Sequence, residues 1–265
     1  AQLVEADAYS LVLENGRAVG VQTRDGRRFL GDGVLVATGG MSYPSTGSTG
    51  DGYRLAKQAG HSLVEPVPSL VSLVAEGGDC RRMMGLALKN VSLTLEENGK
   101  PVFCEQGEML FTHFGISGPL VLSASAWVRD LKKYRYQAVI DLKPALSAEQ
   151  LYARIGRDFD LLAGKNAANC LQKLVPATMQ PVLLERWGVD PELRVNQIDR
   201  AARLELVRLL KGFAVPIRER GDLQHAVITA GGVPVKEVNP RTMESKKTPG
   251  LYFAGEVLDL DAYTG

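Results

Sequence analysis

Residues 34–61 read VLVATGGMSYPSTGSTGDGYRLAKQAGH, and this stretch decides the fold. The apolar run at 34–38 lacks polar alternation and ends in two glycines, which is typical of a strand buried on both faces of a parallel sheet. A loop rich in glycine and hydroxyl side chains follows. Apolar residues then recur at helical spacing up to Ala59, ahead of Gly60, a typical helix terminator. The order of strand, glycine loop and helix predicts an α/β fold.

A second apolar run, at residues 251–254, also ends in glycine. A single strand followed by glycine marks no more than a tight turn. Two such strands separated by a long unrelated stretch predict that both lie in the same sheet, with other sequence inserted between them. Ahead of this sheet, short strand-like runs form a meander with tight turns at Asn15-Gly16 and Asp25-Gly26.

The first part of the inserted sequence, residues 65–146, is rich in strand-like runs. Apolar and polar residues alternate up to the turn pair Asn98-Gly99, and further strand candidates lie at 109–112 and 136–142. This pattern predicts a separate, mostly antiparallel β-rich domain.

The second part of the inserted sequence is mainly helical. Ser147 and Gln150 have the spacing of a capping box, and an apolar stripe follows the predicted N-cap Asn196 up to about residue 211. The chain therefore divides into four predicted segments, with the two ends forming one discontinuous α/β domain. These segments are 1–64 and 222–265 (α/β domain), 65–146 (β-rich domain) and 147–221 (helical subdomain).

Composition excludes several kinds of partner. Lys and Arg number 31 against 30 Asp and Glu, a net charge of +1, and the charges are scattered, so a nucleic-acid partner is not expected. Three widely spaced cysteines without a CxxC pair support neither a metal site nor a disulfide framework, which fits a cytoplasmic protein. The sequence has no apolar run of about 18 residues, so no membrane association is expected.

The loop TGSTGDG at residues 46–52 invites comparison with phosphate-binding loops. It lacks the Lys-Ser/Thr ending of a P-loop and the spacing of GxGxxG, and Asp51 places a negative charge where an anion would bind. Asp51 either caps the helix at residues 53–59 through its macrodipole or accepts hydrogen bonds from sugar or ribityl hydroxyls, and the two roles can coexist.

Three long runs resemble one family. Residues 37–61, residues 107–119 (GEMLFTHFGISGP) and residues 226–265 are similar, in this order, to bacterial flavoproteins of the BaiN/RdsA type. These are NAD(P)/FAD-dependent oxidoreductases that include aminoacetone oxidase. The resemblance covers essentially the whole chain. It implies a Rossmann-like FAD-binding domain of the two-dinucleotide-binding type, interrupted by a β-barrel-like domain and a helical subdomain.

The resemblance also implies which residues contact FAD. Residues after the first strand would lie along the cofactor or beside it, and residues after the second strand would approach the ribityl chain or the ring. The implied cofactor-binding residues are Ala37, Thr38, Gly39, Gly40, Ser42, Pro44, Thr49, Gly50, Asp51, Gly52, Gly255, Glu256 and Asp259.

Two further residues are candidate catalytic groups. Tyr43 places a phenol beside the implied flavin, where it could orient a substrate, although packing explains it about as well. His113 could transfer a proton or orient a substrate, and the alternative is a turn histidine bonded to nearby backbone. His61 and His225 are expected to be structural or exposed.

The chain also departs from the family pattern. Family members begin with a strand, a GxGxxG turn and a helix, and they continue past a final glycine pair into another helix. This chain begins at Ala1, just ahead of the meander, and ends at Gly265 inside the last glycine motif. The resemblance therefore predicts a fragment without the adenine and pyrophosphate half of the site, which binds FAD weakly or not at all by itself.

The function implied by the resemblance is transfer of a hydride or electron pair between a small-molecule substrate and FAD, with NAD(P)H as a candidate electron donor. The alternative is a non-catalytic, truncated module that cannot bind FAD by itself. A flavoprotein acting on RNA is a weaker third reading, because the basic patch it needs is missing from the sequence. The substrate and the oligomeric state stay open.

Overall fold

The computed structural model describes residues 2–261 and divides the chain into two compact units. The first unit combines Ala1–Val71 with Gly221–Gly265, and the second is Ser72–Arg220. Gly265, which lies in the last glycine motif of the sequence, is outside the described residues. The predicted division into four segments stays a prediction.

The first unit begins with an antiparallel three-stranded sheet made of β1 (Ala8–Glu14), β2 (Arg17–Thr23) and β3 (Arg28–Leu30). Asn15 and Gly16 both adopt positive φ, 49° and 77°, in the turn between β1 and β2. This is the backbone geometry that Asn-Gly hairpin turns favour. The predicted meander is confirmed.

The two small-residue strands pair as predicted. β4 (Val34–Val36) and β13 (Leu251–Phe253) run parallel, with Leu251 opposite Val34 and Phe253 opposite Val36. The prediction that this sheet is buried on both faces is wrong, because Leu35 is 61% exposed while Val34 and Val36 are buried. β4 and β13 form a sheet of two strands, and only one of its faces packs against the core of the unit.

Helix α1 (Asp51–Gln58) follows the glycine loop and buries Leu55 and Ala56 in that same core. A second two-stranded sheet pairs β5 (Val64–Ser69) antiparallel with β12 (Ile228–Gly232). The sequence analysis did not predict β5, because prolines interrupt the run. In the described part of the chain β5 pairs with β12 alone, and proline is tolerated on such an edge strand.

The second unit contains a closed six-stranded barrel, which confirms the β-barrel-like domain implied by the resemblance. Its neighbouring strands are all antiparallel and follow the order β10-β11-β6-β9-β8-β7. The strands are β6 (Leu73–Ala75), β7 (Ala87–Glu97), β8 (Lys100–Phe111), β9 (Gly115–Ser117), β10 (Tyr136–Asp141) and β11 (Phe213–Arg220).

Strand β11 corrects the prediction, which placed residues 213–220 in the mainly helical stretch. Phe213, Val215 and Ile217 are buried and alternate with more exposed residues, as expected for a strand with one face toward the barrel interior. Pro216 and the charged residues near the end of the strand obscure this short period in the sequence.

The helices of the second unit share one hydrophobic core with the barrel. They are α2 (Asp79–Arg82), α3 (Pro119–Ser125), α4 (Ala148–Leu161), α5 (Gln180–Trp187) and α6 (Arg200–Lys211). The capping box of Ser147 and Gln150 is confirmed at the start of α4. The N-cap of α6 is Asp199, not the predicted Asn196, because Asn196 lies in a short 3-10 turn and the Asp199 carboxylate accepts from the Ala202 N–H at 2.7 Å. Within residues 2–261, none of the helices combines the length and apolarity needed to cross a lipid bilayer.

Candidate functional site

The carboxyl ends of the parallel strands β4 and β13 meet at one edge, where ligands bind in open α/β sheets. Residues 37–42 continue from β4, and Glu256 lies in the short 3-10 helix Gly255–Val257 just after β13. Thr229 of β12 contacts both segments. We refer to residues 37–42, Tyr53, Thr229 and Glu256 as the strand-end site.

Glu256 ties the two strand ends together through one carboxylate oxygen. Its Oε1 accepts a hydrogen bond from the Ser42 hydroxyl at 3.0 Å and another from the Thr229 backbone N–H. Within residues 2–261, no protein donor forms a hydrogen bond with the second oxygen, Oε2. The half-buried carboxylate is therefore fixed in orientation while keeping the capacity to accept from a ligand.

Thr229 fixes the loop that follows β4. The side chain is fully buried, and its Oγ1 accepts from the backbone N–H groups of Met41 at 2.8 Å and Ser42 at 2.9 Å. Thr229 was not among the residues predicted from the sequence. The available signal was a lone hydroxyl side chain within the small and apolar stretch AVITAGG.

Tyr53 is a second residue of the strand-end site that was not predicted from the sequence. Its ring is buried in the first turn of α1, and its hydroxyl is buried without a hydrogen-bond partner among residues 2–261. Burial first, and then the nearby Glu256 carboxylate, raise the pKa of Tyr53 to about 12. A buried hydroxyl without a partner costs free energy unless something supplies one.

Two of the predicted glycines are required by close packing. A Cβ at Gly40 would lie 2.5 Å from Thr229 Oγ1, and a Cβ at Gly52 would lie 2.2 Å from Thr38 Oγ1. Both positions bring the loop and α1 against neighbouring parts of the same unit. The structure thus brings Gly40, Ser42 and Glu256 together around Thr229, and it places Gly52 against Thr38.

Asp51 lies at the first position of α1 but makes no capping hydrogen bond, because Gly50 occupies the N-cap position. Its carboxylate accepts from the Thr49 hydroxyl at 2.6 Å and from Arg54 at 2.7 Å. These two hydrogen bonds, that from Thr49 first, lower the pKa of Asp51. The predicted interaction of Asp51 with the macrodipole of the helix agrees with the structure, because its negative charge lies in the first turn of α1. Its role toward a ligand hydroxyl stays a prediction.

The remaining predicted cofactor residues are more peripheral. Ala37, Pro44 and Gly255 are exposed, Gly255 with a φ of 77°. Gly39 also has positive φ, and a Cβ there would lie 2.9 Å from the Ser48 hydroxyl. Asp259 lines a shallow cavity of about 330 Å³ beside β5.

The two candidate catalytic residues belong to different units. Tyr43, in the first unit, is half exposed and adopts a left-handed φ of 48°, a strained conformation for a tyrosine. His113, in the second unit, lies exposed in the turn between β8 and β9, with its ring edge-to-face against Phe114 at 4.9 Å. Their proposed catalytic roles stay predictions.

A second polar cluster in the first unit surrounds His61, whose side chain is fully buried. Its Nδ1 lies 2.9 Å from Glu237 Oε2 and its Nε2 lies 2.7 Å from the Ser245 hydroxyl. Ser62 and Lys247 also donate to Glu237, at 2.6 and 2.9 Å. We call these five residues the His61 cluster.

The His61 cluster has the residue types of a hydrolytic triad but not its function. Ser245 Oγ already accepts from the backbone N–H groups of Lys247 and Thr248, so its lone pairs are occupied and the residue is buried. A nucleophile needs an available oxygen that substrate can reach. The burial of His61 and the partners of both its ring nitrogens agree with the expectation of a structural or exposed histidine on the structural side. No group of His, Cys, Asp and Glu among residues 2–261 is arranged to hold a metal ion.

Comparison with known proteins gives the family. The family model described as "HI0933-like protein Rossmann domain" matches residues 3–265. The chain belongs to this family. The match confirms the recognition made from the three sequence runs and agrees with the parallel strand pair and its glycine-rich ends.

The chain is 32% identical over 247 residues to the 3-dehydro-bile acid delta(4,6)-reductase of Clostridium scindens, which covers 91% of this chain and 59% of that protein. It is 31% identical over 235 residues to the ribosomal RNA dihydrouridine synthases of Haemophilus influenzae and Escherichia coli, covering 88% of this chain and 55% and 56% of theirs. The chain thus spans a little more than half the length of these relatives.

Among solved structures, Aquifex aeolicus GidA aligns with 95% of this chain and 40% of its own, at a TM-score of 0.31 and 13% identity. This similarity is too weak to support a statement about fold or function.

Proposed function

We propose that the protein carrying this sequence is an FAD-dependent oxidoreductase that reduces a small-molecule substrate. The observation that carries the proposal is the Glu256 carboxylate, which is fixed at the ends of two parallel strands through Oε1 and keeps Oε2 available. Membership of a Rossmann family supports a dinucleotide ligand at this edge. The names of the relatives supply the type of reaction, because both denote addition of hydrogen to a carbon–carbon double bond.

The residues of the strand-end site fit the polyhydroxyl portion of FAD. Glu256 Oε2 is an acceptor for a ribityl or ribose hydroxyl, and the buried Tyr53 hydroxyl lacks the partner that such a group would provide. Asp51 offers a second carboxylate, with its lowered pKa keeping it charged at neutral pH. Bound FAD would supply the ring that accepts and passes on a hydride or electron pair.

The other residues of the site hold its shape. Thr229 and Ser42 fix the loop and the carboxylate, and Gly40 and Gly52 allow the backbone segments to approach one another. Tyr43 would orient the substrate from the exposed side of this loop. His113 is a further candidate for substrate orientation, and NAD(P)H is the candidate electron donor.

Ribosomal RNA is the second candidate substrate, favoured by the names of two relatives that are 31% identical to this chain. The near-neutral charge weighs against it, because RNA binding depends on neutralising phosphates. The two candidates are distinguished by reducing the protein with NAD(P)H without oxygen and adding either ribosomal RNA or a conjugated steroid ketone. The true substrate restores the oxidised flavin absorbance, and the other compound does not.

The cofactor assignment is tested by titrating FAD into the full-length natural protein and following flavin fluorescence. Glu256→Gln keeps an oxygen for Ser42 and Thr229 but replaces the second oxygen by an amide donor, so we expect affinity to fall about tenfold. Glu14→Gln, at the exposed end of β1, is the matched control and should bind as the wild type does.

Absence of saturable FAD binding by the natural protein would favour the alternative of a non-catalytic module. Equal affinity for the wild type and Glu256→Gln would remove Glu256 from the cofactor site. Weak FAD binding by the 265-residue chain alone remains the expectation from the family resemblance, and tight binding would contradict that expectation only.

A further inference from the structure

The second unit contains a cavity of about 220 Å³ between the start of β7, the end of β10 and residues 174–179. Buried apolar side chains and exposed polar ones both line it, and two of the lining residues are lysines, the half-buried Lys143 and the exposed Lys89. Its lining residues include Leu88, Val91, Leu142, Leu174, Met179 and Lys143. We call this the Lys143 cavity. Its volume is below the range of roughly 300–1,000 Å³ typical of drug-sized ligands, so it suits a smaller molecule.

Lys143 is half-buried, and its ammonium group forms no ion pair with any carboxylate in the described part of the chain. The nearest carboxylate in sequence, Asp141, is already paired with Lys211 at 2.6 Å. Lys211 also donates to the Lys143 carbonyl at 3.1 Å, which leaves the Lys143 side chain outside this network. Burial first, and then the positive charge of Arg154, lower the pKa of Lys143.

The electrostatic environment of the cavity is therefore positive. Arg154 has its own partner in Asp158 at 3.7 Å, and a second lysine, Lys89, lines the cavity from its exposed side. A partly desolvated cation without a counter-ion is unfavourable, and an anion bound beside it would relieve this cost. The apolar side chains that line part of the cavity would in turn favour a ligand with a hydrocarbon portion.

We propose that the Lys143 cavity binds a small amphipathic monocarboxylate. Its carboxylate would pair with Lys143, and its short hydrocarbon chain would lie against Leu88 and Leu142, which keep a small exposed surface. The site uses none of the residues of the strand-end site, and the proposal does not depend on the cofactor assignment.

Three probes separate the contribution of the carboxylate to binding from that of the hydrocarbon chain. Hexanoate has both groups, acetate has the carboxylate without the longer chain, and hexanol has the chain without the charge. Binding to the purified protein is followed by amide chemical shifts in NMR titrations. We expect hexanoate to shift amides of β7 and of residues 142–143 and 174–179 saturably, with acetate and hexanol each at least about tenfold weaker. No saturable hexanoate shift in these segments, or equal affinity for all three probes, would overturn the proposal.

Three variants test the assigned cation. Lys143→Met should weaken hexanoate about tenfold or more, because it removes a charge-assisted interaction, whereas Lys143→Arg should retain binding within about threefold. Lys100→Met removes an exposed lysine at the start of β8, remote in sequence from the cavity residues, and should bind as the wild type does.

Lys143→Met should fold normally, because it replaces a side chain that has no ionic partner with an apolar one, and a thermal melt checks this. Unchanged hexanoate affinity in folded Lys143→Met would overturn the assignment, and so would an equal loss in Lys100→Met. If Lys143→Met proves unfolded, loss of binding in folded Lys143→Arg would overturn it in the same way.

Discussion

The His61 cluster and the strand-end site both build a polar network around a glutamate in the first unit, yet they differ in completeness. In the His61 cluster, Glu237 accepts through both oxygens and both ring nitrogens of His61 have partners. In the strand-end site, Glu256 Oε2 and the Tyr53 hydroxyl have none among residues 2–261. A complete buried network stabilises a fold, whereas an incomplete one has capacity left for a ligand.

The pKa values of Glu237 and His61 reflect the complete set of hydrogen bonds in the His61 cluster. Partial burial by itself raises the pKa of Glu237, but hydrogen bonds from Ser62, Lys247 and His61 outweigh it and lower the pKa to about 2. Burial lowers the pKa of His61 against the opposing effect of Glu237, which favours the neutral imidazole at pH 7, with Nδ1 placed to donate to the carboxylate. In the strand-end site, no comparable set of donors satisfies the Tyr53 hydroxyl.

The largest effect on stability is expected for Glu237→Gln. A shift of the pKa from 4.5 to about 2 corresponds to at most about 3.5 kcal/mol at neutral pH, since each unit is worth about 1.4 kcal/mol. Urea unfolding at pH 7 measures this loss. Glu14→Gln, an exposed glutamate of the same unit, should change little. A loss below about 0.5 kcal/mol would mean that the His61 cluster is not a major source of stability.

The pH dependence of this contribution has a defined sign. The folded pKa of Glu237 lies below the unfolded value, so its contribution is complete above about 4.5 and is lost as the pH falls toward 2. His61 also has a lowered folded pKa, so the unfolded state takes up its proton first and stability begins to fall below about 6.5. The difference between wild type and Glu237→Gln should therefore shrink between pH 4.5 and 2. A difference that stays constant over that range would contradict the assignment.

A smaller loss is expected for Thr229→Val in the strand-end site. The variant keeps the shape but removes the oxygen that accepts from Met41 N–H and Ser42 N–H, which costs about 2 kcal/mol for buried donors left unpaired. Thr229→Ser retains the oxygen and is the control. Equal unfolding free energies for Thr229→Val and Thr229→Ser would show that this hydroxyl does not hold the loop.

Local signals in the sequence predicted much of the fold. Asn15-Gly16 set a hairpin, Ser147 and Gln150 set a capping box, and the glycine ends of two apolar runs identified the parallel pair β4 and β13. Each of these depends on neighbours in sequence or on a pattern repeated at two places.

The two polar networks could not be predicted in the same way. His61 meets Glu237 and Ser245, which are 176 and 184 residues away, and Thr229 meets Met41 across 188 residues. Tyr53 looks like an ordinary residue of an amphipathic helix, and only the packing shows that its hydroxyl has no partner. The family resemblance supplied Glu256 and Ser42, but which oxygen of Glu256 is in use required the structure.

The central claim is that the strand-end site, with its incomplete polar network, binds a ligand. A paired comparison of Tyr53→Phe with Ser245→Ala tests this claim most directly. Unfolding free energy and FAD dissociation constant are measured for both variants of the natural protein. Tyr53→Phe removes a hydroxyl without a partner, so stability should stay within about 0.5 kcal/mol while FAD affinity falls about three- to tenfold. Ser245→Ala removes the acceptor of two backbone N–H groups, so it should lose about 2 kcal/mol and bind FAD normally while folded. A Tyr53→Phe variant that loses stability but keeps its FAD affinity would contradict the account.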